Sequence, residues 1–181
     1  FSNSAIESIK IPKHVAQIGE SAFNYCQNLK SVDFYDESEL VSIEKEAFLS
    51  TIISKISIPK STKKIGETAF ENCNFLNEIE FCKDSQMCEI ENNAFCESGL
   101  ISFTFPKQVK KISKNCFSDC KQLKTINFSE DSELQTIESC AFYGSSIESL
   151  SIPPNLIELK ERWCIRTNFL NFSISSKNRL F

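Results

Sequence analysis

Pairs of apolar residues two positions apart recur along the chain: Ile9/Ile11, Val32/Phe34, Ile56/Ile58, Ile79/Phe81, Phe103/Phe105, Ile126/Phe128, Leu150/Ile152 and Phe172/Ile174. A period of two puts both members of a pair on one side of a strand. Their β-branched and aromatic types suit that conformation. Behind most pairs lies a second signature. Ile18, Ile43, Ile65, Ile90, Ile112 and Ile137 each precede a phenylalanine by five residues: Phe23, Phe48, Phe70, Phe95, Phe117 and Phe142. The residue before the ring is Ala in five cases and Cys116 in the sixth. The short polar segment between predicts a single helical or 3-10 turn.

The two signatures belong to one repeat. The stretch IKIPKHVAQIGESAFNYC at 9–26 returns at 56 and at 103, 47 residues apart each time. A fixed period of this size marks a repeat architecture. Each period holds two similar turns, of 23 and 24 residues. First-type turns begin at Ile6, Ile53, Leu100 and Ile147, and second-type turns at Leu29, Leu76 and Leu123, with a fourth at Phe169, one residue early. The expected fold is a leucine-rich-repeat-like solenoid with one short parallel strand per turn, about eight in all, stacked about 4.8 Å apart.

Pro12, Pro59, Pro106 and Pro153 follow first-type strands and stop their ladders. The return path crosses behind the sheet in the right-handed sense. The phenylalanine column is expected to stack as a spine, each buried ring contributing on the order of 1.5–3 kcal/mol. A lone turn cannot bury its own apolar face, so stability accrues along the stack. In the fourth first-type turn Trp163-Cys164 stands where Ala-Phe is expected, which predicts an irregular back face over 160–167.

Phe1 precedes Ile6 by five residues, as Phe142 precedes Ile147, and the chain stops at Leu180-Phe181 partway through a turn. Residues 1–181 are therefore read as a single solenoid and a fragment of a longer protein. Uncapped ends would expose apolar surface and strand edges, favouring end-to-end self-association.

The turns resemble the BspA-like leucine-rich repeats, also called the Treponema pallidum type. The likeness rests on the strand Ile6, Ile9, Ile11, Pro12 followed by Val15, Ile18, Gly19, Ala22, Phe23 and Cys26, and on its recurrence over nearly the whole chain. That resemblance implies a cell-surface or extracellular protein, with adhesion to host matrix or microbial surface proteins. It supplies no binding motif to carry over.

Net charge is −4 and the isoelectric point about 5.2, which argues against nucleic acid or an anionic membrane surface as the main partner. No apolar run nears the roughly 18 residues of a membrane span, and the segment carries no targeting signal. There are nine cysteines. Cys26, Cys73 and Cys120 share one column two rungs apart, roughly 9–10 Å, beyond disulfide reach. They read as small buried apolar filler, as do Cys116 and Cys140. Cys82 and Cys88 flank one loop, where local pairing is the open alternative. Zinc, calcium and cofactors find no supporting spacing, and His14, the single histidine, reads as a surface loop residue. No nucleophile and base are grouped as catalysis requires, so no enzyme is expected.

What remains is the outward side of the strands. One column reads Lys10, Asp33, Ser57, Glu80, Thr104, Asn127, Ser151, Ser173, and the next Ser8, Ser31, Lys55, Glu78, Ser102, Thr125, Ser149, Asn171. Regular solenoid faces engage partners in this way. The candidate protein-binding residues are Lys10, Asp33, Tyr35, Lys55, Ser57, Glu78, Glu80, Thr104 and Asn127. The competing readings are a solvated sheet on a structural spacer and an intracellular interaction scaffold. Loops after the strands alternate in sign, Lys13, Lys60 and Lys107 against Asp36-Glu37, Asp84 and Glu130-Asp131, which predicts charge pairing along the edge. Sequons at Asn127 and Asn171 fall on expected strands.

Overall fold

The computed structural model describes residues 1–174. Fifteen short strands, β1–β15 in chain order, supply the regular structure. Eight form the front wall: β1 (Ser8–Ile11), β3 (Ser31–Phe34), β5 (Lys55–Ile58), β7 (Glu78–Phe81), β9 (Ser102–Thr104), β11 (Thr125–Asn127), β13 (Ser149–Ile152) and β15 (Asn171–Ile174). These are the expected strands, and every pairing among them is parallel. Ile9 lies opposite Val32, Ile56 opposite Ile79 and Phe103 opposite Ile126, so each apolar pair sits on the next. Ser149 pairs with Asn171, which places the last strand one residue early as its spacing predicts. The ends at Leu180-Phe181 lie outside the described residues.

Seven two-residue strands form a second wall that the sequence reading did not include. They are β2 (Gln17–Ile18), β4 (Ser42–Ile43), β6 (Lys64–Ile65), β8 (Glu89–Ile90), β10 (Lys111–Ile112), β12 (Thr136–Ile137) and β14 (Glu158–Leu159). Each carries the isoleucine, or Leu159, that starts the back signature. One residue per rung is too little apolar pattern to announce a strand, yet Ile43, Ile65, Ile112 and Ile137 are fully buried.

The expected helical turns are absent: there is no helix among the described residues. The back segment instead splits its donors. Ala22, Asn24 and Cys26 donate to Gly19, Ser21 and Phe23 within their own rung, while Ser21, Phe23 and Tyr25 donate to Lys45, Ala47 and Leu49 of the next. A helix directs its N–H groups along its own axis and keeps φ negative. Here Ser21 and Tyr25 take φ of 54° and 55°, and the pair recurs as Glu46/Ser50, Thr68/Asn72, Asn93/Glu97, Asn115/Asp119, Cys140/Gly144 and Arg162/Arg166. Left-handed backbone costs a non-glycine residue about 1–2 kcal/mol. Bonds to the neighbouring rung offset that cost, so the conformation belongs to the stack.

Between those left-handed residues the rings stack. Phe1, Phe23, Phe48, Phe70, Phe95, Phe117 and Phe142 follow one another at 5.2–5.7 Å between centroids. The column then changes hands. Trp163 meets Phe142 edge-on, at 79°, with Cys164 in the slot a ring would fill. The backbone stays regular there, since Phe142 N–H still reaches the Trp163 carbonyl at 2.9 Å and Arg162 and Arg166 keep φ of 61°. The irregularity expected over 160–167 is thus confined to side chains. The indole is held by packing against Phe169 and Phe172.

The cysteine column is more than filler. Cys26, Cys73 and Cys120 donate through Sγ to the carbonyls of Phe1, Phe48 and Phe95 at 2.9–3.1 Å. Ser4, Thr51 and Ser98 sit 3.4 Å from the same sulfurs. All nine cysteines are free thiols. Cys82 and Cys88 are exposed and unbridged, and Cys140 is only partly buried.

Candidate functional site

The front wall follows from strand alternation. The second residue of each strand from β1 to β13 points inward, as Ile56 and Phe103 do at 1% exposure, so its flanking residues face out. Nothing in the described residues covers that side. Lys10, Asp33, Tyr35, Lys55, Ser57, Glu78, Glu80, Thr104 and Asn127 are all exposed on it. The structure brings them together as lateral pairs between adjacent rungs, an organisation that a column read along the sequence does not reveal.

At the first junction Lys10 stands in register with Asp33, but its ammonium lies over the Tyr35 ring, 4.0 Å from the centroid. A cation over an aromatic face at an exposed site contributes about 0.5–1 kcal/mol. In the middle, Lys55 bridges Glu78 at 3.2 Å and Glu80 at 2.8 Å, and Ser57 Oγ donates to Glu80 at 2.8 Å. The bonds to Glu80 and Glu78 push Lys55 above the usual ammonium range. Lys55 and then Ser57 hold Glu80 below the usual carboxylate range. Further on the contacts become neutral: Asn127 Nδ2 donates to Thr104 Oγ1 at 3.4 Å, and Ser151 and Ser173 hydroxyls meet at 2.6 Å. Asn127 and Asn171, the sequon positions, lie on β11 and β15.

The edge loops pair at two of the three expected places, and Lys60 and Asp84 make no ion pair among the described residues. Lys13 meets Glu37, and Lys107 meets Asp131 at 2.8 Å. His14 lies 3.0 Å from Glu39 with both side chains exposed. No group of three or more His, Cys, Asp or Glu among the described residues is placed to hold a metal ion. No helix among them is long and apolar enough to cross a membrane.

A second feature of this face is invisible in the alternation pattern. Ladder pairing joins β1 to β3, β5 to β7 and β9 through β15, but lapses between β3 and β5 and between β7 and β9. Strands β11 and β13 share one register pair, Thr125 with Ser149. Each weak junction follows a second-type turn, whose loop after the strand is longer: Phe34 to Ile43 is nine residues, Ile11 to Ile18 seven. The consequence is a difference in burial at one strand position. Ile11, Ile58, Phe105 and Ile152 are buried in first-type rungs, whereas Phe34, Phe81 and Phe128 are only half-buried in second-type rungs.

Comparison with known proteins agrees with this geometry. A family model described as the BspA type leucine rich repeat region, in six copies, matches residues 1–89 and 88–180. A leucine-rich repeat protein from Bacteroides ovatus ATCC 8483 superposes with a TM-score of 0.67 at 25% identity, covering 88% of this chain and 47% of that one. A leucine rich cell surface protein from Faecalibacterium prausnitzii A2-165 gives a TM-score of 0.47 at 23% identity, over 94% of this chain and 60% of its own. The T. pallidum leucine rich repeat protein gives 0.45 at 19% identity, over 96% and 76%. This chain thus spans about half the length of the Bacteroides protein. No curated protein matches it in sequence.

Proposed function

This chain belongs to the BspA type leucine-rich repeat family, and from that premise we propose that its front sheet is a non-catalytic protein-binding surface. The observation that supports the reading is the uncovered wall of eight parallel strands, whose candidate residues are exposed and contact one another laterally. Such a wall offers a regular extended platform of the kind repeat proteins use for recognition. The family resemblance extends the proposal to a cell-surface or secreted protein that adheres to host matrix or microbial surface proteins. The face lacks the tryptophan and arginine anchors that dominate tight interfaces, so affinity per rung is modest and accumulates over the length of the solenoid.

The test is a binding assay of the immobilised chain against matrix and bacterial surface proteins, with Glu80, Thr104 and Asn127 replaced together by lysine. Loss of binding with folding retained supports the sheet face. Binding that survives those changes and disappears on altering the edge loops overturns it. One observation favours a second reading, an interaction scaffold in a reducing compartment: all nine cysteines are free thiols. Thiol titration of the protein isolated from its native source separates the two, since an oxidising compartment would leave the exposed thiols of Cys82 and Cys88 modified.

A further inference from the structure

The corner where each back turn hands over to the next front strand alternates in length. Phe23 to Leu29 is six residues, Phe48 to Ile53 five and Phe70 to Leu76 six. A short corner between two longer ones leaves a recess of about 410 Å³. Tyr25 lines it from the first rung and Phe75 from the third, 46% and 64% exposed, and neither ring meets another ring or a cation among the described residues. Gln27, Ser50, Asn72 and Asn74 supply its polar lining. None of those four side chains makes a hydrogen bond among the described residues. No charged residue lines the recess, in a chain that is 24% charged.

We propose that this recess binds a neutral oligosaccharide, at a site separate from the front sheet. The first argument is the match of donors and acceptors. A side-chain amide offers one acceptor and two donors. Each hydroxyl of a sugar ring both donates and accepts, so neighbouring hydroxyls satisfy one amide together, and three amides here are unspent. The exposed rings of Tyr25 and Phe75 supply apolar surface for the C–H side of a pyranose. Aromatic surface with a few convergent polar groups is the usual make-up of a small-ligand site.

The second argument is what the recess withholds from other ligands. The backbone N–H groups of Tyr25, Gln27, Ser50, Thr51 and Asn72 already donate to Leu49, Tyr25, Glu71, Phe48 and Cys96. An extended peptide is held by main-chain hydrogen bonds and finds those donors taken. A phosphate, sulfate or carboxylate is held by cations and finds none in the lining. The corner is also fixed from behind: Gly99 N–H donates to the Cys73 carbonyl at 3.1 Å, and Gly99 has no Cβ to push the Asn74 carbonyl away. A rigid corner loses little freedom on binding. At the next such corner Glu97, Asp119 and Lys121 bring charge, and Lys121 is engaged by Asp119 and by the Gly144 carbonyl at 3.0 Å. The sugar site therefore belongs to the first three rungs.

The experiment titrates the full chain with homotrimers of glucose, mannose, galactose and N-acetylglucosamine, followed by saturation-transfer NMR and calorimetry. At least one trimer is expected to bind saturably, with transfer strongest to its ring C–H protons. Tyr25→Ala and Phe75→Ala are each expected to weaken it about 10-fold, and Gln27→Ala with Asn74→Ala several-fold. All four side chains are exposed, so circular dichroism should report an unchanged fold. The variant with lysine at positions 80, 104 and 127 is expected to bind the trimer as the wild type does, which keeps this result independent of the sheet-face reading. No saturable binding of any trimer by folded protein, binding unchanged in the Tyr25→Ala/Phe75→Ala double variant, loss of binding in the sheet-face variant, or equal binding of a capped Gly/Ser peptide would each overturn the proposal.

Discussion

The Cys73 thiol donates a hydrogen bond to the Phe48 carbonyl, 3.1 Å away on the preceding rung. Thr51 shares that sulfur at 3.4 Å, so thiol and hydroxyl alternate up the column. Burial pushes Cys73 and Cys120 up to about 11, with the bonds to Thr51 and Ser98 lowering each in part. Unfolded thiols ionise above about 8.5. Because the folded values are raised, the stability these thiols contribute is complete below about 8.5 and falls until about 11. The slope is about 1.4 kcal/mol per pH unit for each thiol. Urea midpoints at pH 8 and pH 10 check this, and a Cys73→Ser/Cys120→Ser variant is expected to lose less over the interval. At pH 8, Cys82 and Cys88 should react with a thiol reagent in the native protein, and Cys26, Cys73, Cys116 and Cys120 only after denaturation.

Phe70 is fully buried between Phe48 and Phe95, with rings 5.2 and 5.4 Å away. Phe70→Ala removes one link from the spine and is expected to destabilise by about 3–5 kcal/mol. Because each rung touches only its neighbours, the loss should concentrate nearby. Hydrogen exchange is expected to quicken most at Phe48 N–H and Phe70 N–H, which bond to the carbonyls of Ala69 and Ala94. Uniform acceleration over the whole chain would contradict a rung-by-rung fold.

Two glycines make opposite forecasts. A Cβ on Gly99 would stand 2.2 Å from the Asn74 carbonyl oxygen and 2.8 Å from its carbon. That is rigid backbone of the preceding rung, so Gly99→Ala should displace the rung and cost several kcal/mol, in the range of overpacked cores. On Gly19 nothing lies within 4 Å. In this 181-residue chain Gly19→Ala is therefore expected to leave the melting temperature unchanged or slightly higher.

Glu71 sits on the back face, where burial pushes its carboxyl up and the charges of Glu97, Glu46 and Glu67 push it further. A raised folded value means that the ionised form is disfavoured in the fold, so Glu71 lowers stability at neutral pH and ceases to do so when protonated. Glu71→Gln is expected to raise the urea midpoint at pH 7. The gain should vanish as pH falls below about 4, where the wild-type side chain is itself neutral.

Front register, phenylalanine spine and cysteine column are all legible in the sequence, because each is a residue type returning at a fixed offset. The back turn is not. Its local i to i+3 spacing matches a helical turn, and only stacking reveals that Ser21, Phe23 and Tyr25 send their N–H groups to the next rung. The second wall hides because Ile43 or Ile65 alone gives no alternation to read. On the front face the columns were visible, but the lateral partners were not. Lys10 prefers the Tyr35 ring to its register mate Asp33, a choice set by side-chain reach rather than by position. The half-exposure of Phe34, Phe81 and Phe128 also escaped, since alternation assigns them inward with Ile11 and Ile58. What differs is the loop after the strand, two residues longer in second-type turns, and the weaker ladder bonding beside it.

The split allegiance of the back-turn donors has one more consequence. Every rung offers the same carbonyls to its neighbour, so removing one rung still leaves the back-turn amides acceptors, but it sets two loops of equal length side by side. Removing or duplicating 47 residues keeps the amide pairing and the alternation of loop lengths together. The molecule is therefore built to lengthen or shorten in two-rung modules, its back held by bonds that any rung can make and its front paced by the alternation of two loop lengths.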